Sequence, residues 1–242
     1  MLIDFHGCSY TEGVGLDTPQ DRFSTLVGKY FNCAVRNFGT GGQSNTEIFV
    51  SACRTLLDEI STHIFVQWTS PGRHTIHSQY DIKHSTMNTQ VRINYISPKN
   101  YKTFCDVYRL LDNEYNSYRL LNHYIPILNN IAILRHKDVY YINGLVHIDE
   151  FFLMPDTLKY IESEETRRIL NFDNLPDEDI IKNLQEIRQF LDVINGKQWV
   201  NTTKSFKNLK VDTGNDGYHP GVISHELYAD TVINFLKEKS FE

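Results

Sequence analysis

The chain has 242 residues, 40% hydrophobic and 22% charged, and its 14 Phe, 14 Tyr and 2 Trp supply enough bulky apolar area for a core that needs no disulfide or metal staple. No apolar run approaches the roughly 18 residues of a membrane span, and Met-Leu-Ile-Asp-Phe-His lacks the basic start and apolar stretch of a secretory signal, so a cytoplasmic protein without a membrane partner is expected. A formal charge of −6 with no basic block argues against a nucleic-acid partner; residues 149–192, with twelve acidic and five basic side chains, read as a solvated helical face.

In chain order, Leu2 to Phe5 reads as a short apolar strand followed by a turn flanked by Gly7, Gly13 and Gly15. Asp21 to Phe31 carries Phe23, Leu26, Val27 and Tyr30 at helical spacing. A second strand, Ala34 to Asn37, runs into Gly39-Thr40-Gly41-Gly42, after which Asn45 is expected to cap a helix with Ile48, Phe49, Ala52, Cys53, Leu56 and Leu57 on one face. His63 to Gln67 makes a third strand. Residues 74–104 read as a polar, irregular insertion, Leu110 to Leu134 as a helix bent at Pro126, and Val139 to Ile142 as a fourth strand ended by Asn143-Gly144. A second insertion, 145–200, contains expected helices at Asp156 to Leu170 and Asp177 to Ile194, and an amphipathic helix from Val222 to Leu236 closes the chain. Alternating strand, glycine turn and helix predicts one α/β domain over residues 1–242, with a mostly parallel sheet covered on both faces and its ligands at the strands' carboxyl ends.

Two short segments carry candidate chemistry. Gly7-Cys8-Ser9 follows the first strand directly, so the Ser9 hydroxyl would project into a cleft with its own N–H facing an oxyanion; a plain turn-capping serine is the alternative. In Asp216-Gly217-Tyr218-His219-Pro220, an aspartate three residues before a histidine can fix the imidazole tautomer, and a surface turn is the alternative. Cys8, Cys33, Cys53 and Cys105 show no ligand-like spacing and are expected to be reduced, mostly buried thiols. His74, His77, Asp81 and His84 lack a zinc-site pattern and read as solvated loop residues; no metal or other cofactor is expected. Asp4, inside an apolar strand, is expected to be hydrogen-bonded at a strand edge.

A Gly-x-Ser near residue ten, the strand-to-turn segment Asn37-Phe38-Gly39-Thr40-Gly41-Gly42, and Asp-x-x-His-Pro before the final helix together resemble the SGNH, or GDSL, hydrolase family. The resemblance spans nearly the whole chain. It implies a three-layer α/β/α sandwich with a flavodoxin-like sheet and ester hydrolysis through a Ser-His-Asp triad. By it, Ser9 matches the nucleophile, His219 the base, Asp216 its orienting acid and Gly42 the oxyanion glycine. Two positions depart from the family pattern. Cys8 replaces the aspartate of Gly-Asp-Ser, and Gln67-Trp68-Thr69-Ser70-Pro71-Gly72-Arg73 replaces Gly-x-Asn-Asp, so that Ser70 stands where the third oxyanion donor would be. The Trp-Thr-Ser-Pro and Arg pattern is similar to SGNH-like proteins of tailed phages. Arg73 and Asn45 are assigned to substrate binding, with a surface ion pair as the alternative for Arg73.

The expectation is a serine esterase acting on a small-molecule or carbohydrate ester, with a short acyl group on a sugar as the first substrate class, because the polar, Tyr-rich insertion lacks a lipase's long apolar groove. The same changes at Cys8 and Ser70 support a rival reading, a non-catalytic binding or virion protein on this fold.

Overall fold

The computed structural model describes residues 1–58, 60–69, 73–78, 81–88, 114–145, 198–200 and 204–239, with 73–78, 81–88 and 114–122 described by their backbone alone. The elements in order are β1 (Leu2–Gly7), α1 (Ser9–Glu12), a 3-10 turn (Pro19–Asp21), α2 (Phe23–Tyr30), β2 (Ala34–Gly39), α3 (Asn45–Leu57) and β3 (His63–Trp68). There follow β4 (Arg73–Ser78), β5 (Asp81–Asn88), α4 (Glu114–Arg135), β6 (Asp138–Asn143), α5 (Phe206–Leu209) and α6 (Val222–Glu238).

β2, β1, β3 and β6 form a wholly parallel sheet in that order, which matches the first four strands of a flavodoxin-like sheet. Beyond β6, Trp199 forms a parallel bridge with Tyr141, and the Val200 N–H donates to the Tyr141 carbonyl at 2.9 Å. The strands alternate their side chains between two cores. Ile3, Phe5, Phe65 and Ile142 meet Phe23 and Val27 of α2 and Tyr228, Val232 and Leu236 of α6. Ile64, Val66, Trp68 and Tyr141 meet Ile48, Ala52 and Leu56 of α3 and Ile125 and Leu128 of α4. Burial on both faces is why β3 reads His-Ile-Phe-Val-Gln-Trp with almost no polar alternation. The result is an α/β/α sandwich, as the sequence predicts.

Three local expectations are corrected. Asp4 is not at a strand edge. β1 lies between β2 and β3, and the Asp4 carboxylate, with no exposure, accepts from Arg36 Nε at 2.7 Å and Nη2 at 2.6 Å, Arg36 being its register partner on β2. The α3 cap is Ser44, not Asn45: Ser44 Oγ accepts from the Glu47 N–H while the Glu47 carboxylate accepts from the Ser44 N–H, so the reciprocal Ser-x-x-Glu box outcompetes its neighbour. Residues 74–104 are not uniformly irregular. β4 and β5 form an antiparallel hairpin, because Thr75, Ile76, Ile82 and Thr86 supply β-branched positions inside an otherwise polar stretch. The helices expected at 156–170 and 177–194, Cys105 and nearly all of the 145–200 insertion lie outside the described residues.

Among the described residues no helix is long and apolar enough to cross a membrane. Cys8 is buried and Cys33 and Cys53 half-buried, all as free thiols; burial pushes the thiols of Cys33 and Cys53 up, away from the reactive thiolate.

Two histidines are buried as neutral groups. His6 lies under α3 with Nδ1 2.9 Å from Ser51 Oγ and Nε2 2.9 Å from Thr55 Oγ1, and burial, with Arg36 nearby, lowers it to about 3. His225, between α6 and α2, accepts the Phe23 N–H on Nδ1 at 3.2 Å and is lowered by burial to about 4. Both folded-state values lie below the unfolded one, so their contribution is complete above about pH 6.5 and is lost as pH falls toward 4 and 3. Urea unfolding should therefore show stability falling on acidification from pH 7 to 4.5, at up to about 1.4 kcal/mol per pH unit for each histidine. The double variant His6→Gln, His225→Gln should flatten this slope; an unchanged slope would assign it to other groups.

Candidate functional site

β1 delivers the chain at its carboxyl end into a one-turn helix. Cys8 is the N-cap of α1 and Ser9 its first residue, and Gly13, in the left-handed region at φ 78°, closes the turn, with the Gly13 and Val14 N–H groups both donating to the Ser9 carbonyl at 3.0 Å. Each side chain of the turn has a different task. The Cys8 thiol packs beneath, fully buried and 4.0 Å from Gln67 Oε1, the oxygen to which Thr11 Oγ1 also donates. Tyr10 stacks on Tyr228 and meets the His219 ring edge-on, with centroids 6.3 and 6.4 Å apart. The Ser9 hydroxyl, on a residue 4% exposed, is held by no group among the described residues.

The glycine loop after β2 lies directly on this turn. A Cβ on Gly39 would come within 2.4 Å of the Glu12 nitrogen, so only glycine permits the approach. The Thr40 N–H donates to the Gly7 carbonyl at 3.1 Å, and Asn37 reaches from β2 to the Thr11 carbonyl at 2.6 Å and to Ser24 Oγ at 2.9 Å while accepting the Gly39 N–H. A Cβ on Gly41 would lie 3.9 Å from Ser9 Cβ, and the Gly41 N–H is taken by Glu12 Oε2 at 2.5 Å. Gly42, at φ 82°, faces open space, and no described group accepts its N–H.

Asn45 does not hold its amide out for a substrate. Buried at the start of α3, it accepts the Thr69 N–H on Oδ1 at 2.8 Å and donates Nδ2 to the Thr69 carbonyl at 3.2 Å. This two-point bracket ties α3 to the chain leaving β3.

The second loop arrives from the far end of the chain. Asp216 Oδ2 lies 2.5 Å from His219 Nδ1, while Oδ1 accepts the N–H groups of Tyr218 and His219, both at 2.9 Å. The backbone N–H of His219, then that of Tyr218, then the imidazole hold the Asp216 carboxyl down at about 2. An ionised carboxylate on Nδ1 places the proton there and leaves Nε2 of the neutral ring as the acceptor. Asp212 anchors the following helix: Gly221, the N-cap of α6, has no side chain, and the Asp212 carboxylate accepts the Ile223 and Ser224 N–H groups at 3.1 and 2.8 Å instead.

The two loops meet. The Asn215 N–H donates to the Gly15 carbonyl at 2.8 Å, Asn215 Nδ2 donates to Asp17, and the Cβ direction of Gly15 ends 3.1 Å from Asp216 Oδ1 and 3.3 Å from His219 Cβ. Ser9, Gly42, Asp216 and His219 thus lie on adjoining loops at the carboxyl ends of β1 and β2. No hydrogen bond joins Ser9 Oγ to His219. Ser70 is outside the described residues. Arg73 opens β4 opposite Asn88; His74 and His77 lie on β4, and Asp81 and His84 on β5. Among the described residues no three His, Cys, Asp or Glu side chains gather to hold a metal.

Glu12, Gln67 and Asp212 were not among the sequence-derived candidates. Glu12 stands three residues after Ser9 in a Ser-x-x-Glu pattern, and Gln67 is the one amide in a buried apolar strand; both were readable signals. Asp212 had none, because its partners are set only by the tertiary fold.

No protein-family model matches the chain, and no curated protein matches it. Solved structures do. The chain is similar to the psychrotrophic esterase EstA from Pseudoalteromonas sp. at 9% identity and TM-score 0.49, covering 100% of this chain and 99% of that one. It is similar to the acetyl xylan esterase Est2A from the rumen bacterium Butyrivibrio proteoclasticus at 12% identity and TM-score 0.48, covering 99% and 64%. A member of the lipolytic G-D-S-L family from Veillonella parvula DSM 2008 matches at 14% identity and TM-score 0.41, over 96% of each chain. None of these likenesses assigns a role to a residue here.

The bracket on Thr69 predicts that Asn45→Ala, which strips partners from two buried backbone groups, lowers stability by about 2 kcal/mol. Asn45→Asp should cost at least as much, since a carboxylate keeps the acceptor but faces the Thr69 carbonyl. Equilibrium urea unfolding at pH 7 measures both, and near-neutral effects would show that the bracket does not hold the segment.

Proposed function

We propose that the chain is a serine ester hydrolase in which Ser9 is the nucleophile, His219 the general base and Asp216 its orienting acid. The observation that carries this reading is the docking of the hydrogen-bonded Asp216–His219 pair, through Asn215 and Gly15, against the segment that bears the unheld Ser9 hydroxyl. In the first step Ser9 Oγ attacks the ester carbonyl carbon as its proton passes to His219 Nε2, and the Asp216 carboxylate stabilises the imidazolium. The oxyanion receives hydrogen bonds from the N–H groups of Ser9 and Gly42, with Ser70 as third donor. Collapse expels the alcohol, which takes the proton from His219. Water, deprotonated by the same nitrogen, then attacks the acyl-enzyme, and release of the acid regenerates Ser9. Arg73, where β4 starts beyond β3, is assigned to an anionic group of the substrate. Short acyl esters of sugars are the first class to test.

A fluorophosphonate probe should label Ser9, and labelling should vanish in Ser9→Ala with little change in the urea midpoint, because the hydroxyl is hydrogen-bonded to no described group. Asp216→Asn retains acceptors for the Tyr218 and His219 N–H groups but not the tautomer, so kcat for p-nitrophenyl acetate should fall by on the order of 10³-fold or more. Persistent labelling in Ser9→Ala would remove Ser9 as nucleophile. A protein that neither labels nor cleaves acetylated sugars or short p-nitrophenyl esters would be a binding protein on this fold.

A further inference from the structure

The loop that presents Gly42 is short of anchors. Of its four residues Gly39-Thr40-Gly41-Gly42, three are glycine, which gives the backbone more freedom than any other residue type would. Its fixed points are few. Asn37 Oδ1 holds the Gly39 N–H at 2.9 Å, the Gly7 carbonyl holds the Thr40 N–H, and the Gln43 N–H returns to the Thr40 carbonyl at 3.2 Å. These hold Gly39 and Thr40 and close the turn at Gln43. Between them, one side chain touches the backbone: Glu12 Oε2, accepting the Gly41 N–H at 2.5 Å.

We infer that Glu12 is a positioning residue, whose carboxylate grips the Gly41 N–H so that the next N–H, that of Gly42, is turned toward the carbonyl oxygen attacked by Ser9. The inference rests on the esterase reading and deepens it.

Two adjacent amides compete for the same role. A Cβ on Gly41 would lie 3.9 Å from Ser9 Cβ, and an unanchored loop could offer either N–H to the oxyanion or leave both to water. By occupying Gly41, Glu12 leaves Gly42 as the one free amide and fixes the peptide plane next to it. Glu12 can do this because it ends the same four-residue helix that Ser9 begins. Nucleophile and oxyanion loop are thereby referenced to one rigid turn, itself tied down by Thr11 on Gln67 and by Asn37 on the Thr11 carbonyl.

The charge of Glu12 works against the reaction it supports, because a carboxylate beside the loop repels a developing oxyanion. Its value is therefore geometric, and geometry and charge can be separated. Glu12→Gln keeps an oxygen acceptor at the same reach and removes the charge; Glu12→Ala removes both.

With p-nitrophenyl acetate as substrate, Glu12→Ala should lower kcat at least about tenfold while KM changes less than about threefold, the pattern of an interaction felt in the transition state. Glu12→Gln should restore kcat to the wild-type level or above it. In parallel, amide hydrogen exchange of Gly41 should accelerate at least about tenfold in Glu12→Ala and stay slow in Glu12→Gln. Equal damage in both variants would mean that the charge is what matters and would overturn the proposal, as would a Gly41 amide whose exchange is indifferent to Glu12→Ala. A wild-type protein that does not label at Ser9 fails the esterase reading instead, and the exchange of Gly41 then still decides whether Glu12 holds the loop.

Discussion

The meeting of the two loops at the candidate site depends on a backbone contact between two glycines from opposite ends of the chain. Gly214 lies so close to Gly15 that a Cβ on it would fall 2.3 Å from the Gly15 carbonyl oxygen, and a Cβ on Gly15, itself at φ 90°, would sit tightly against Asp216 Oδ1 at 3.1 Å. With both side chains absent, the Asn215 N–H reaches the Gly15 carbonyl, and the Asp216-to-His219 turn is set down on the segment that leaves α1. A methyl group on Gly214 would force this contact apart, and one on Gly15 would crowd Asp216 and His219.

That contact is kept in register by two caps supplied from remote residues. α6 begins at a glycine and borrows its cap from Asp212, on the near side of the Asp216 loop; α2 begins at Arg22 without a side-chain cap, and its first N–H is accepted by His225 of α6. The loop that bears His219 is therefore clamped between Asp212 and the helix that Asp212 starts. α6 is locked onto α2, which precedes β2 and the glycine loop. A change at Asp212 should be felt at His219 for this reason, although the two side chains do not touch.

The layering was legible because it rests on local pattern. Runs such as Ile-Phe-Val and Val-Tyr-Tyr-Ile, with helical spacing between them, are enough to specify strands buried on both faces, and the order of the Ser9, Gly42 and Asp216-to-His219 segments identified the end of the sheet where they meet. What depends on partners remote in sequence was not legible. Asp4 can be judged only once Arg36 is known to lie beside it in register. Asn45 looked like a cap and a substrate ligand because its bracket on Thr69 crosses from one element to another, whereas the true cap, Ser44, was readable from Glu47 three residues on. The β4 and β5 hairpin escaped because its polar composition resembles a loop and only its β-branched positions resemble strands.

Solvent limits what the Asp–His pair can do alone. The His219 and Asp216 side chains are 29% and 33% exposed. At such exposure a carboxylate and an imidazolium attract each other by no more than about 1 kcal/mol net, because water screens both. Orientation of the ring survives that screening, since the backbone N–H groups of Tyr218 and His219 fix the carboxylate whatever the charge on the imidazole. Stabilisation of an imidazolium would be reduced by it. Under the proposed hydrolase reading, stronger electrostatic support would require water to leave the pair, and an ester bound over Ser9 would displace it. A substrate large enough to cover the pair would, under that reading, exclude water and strengthen the attraction between the Asp216 carboxylate and the ring beside it, whereas a small ester would leave the pair solvated. For the proposed hydrolase, this would be a physical reason to favour an acyl group carried on a bulky polar alcohol over a minimal ester.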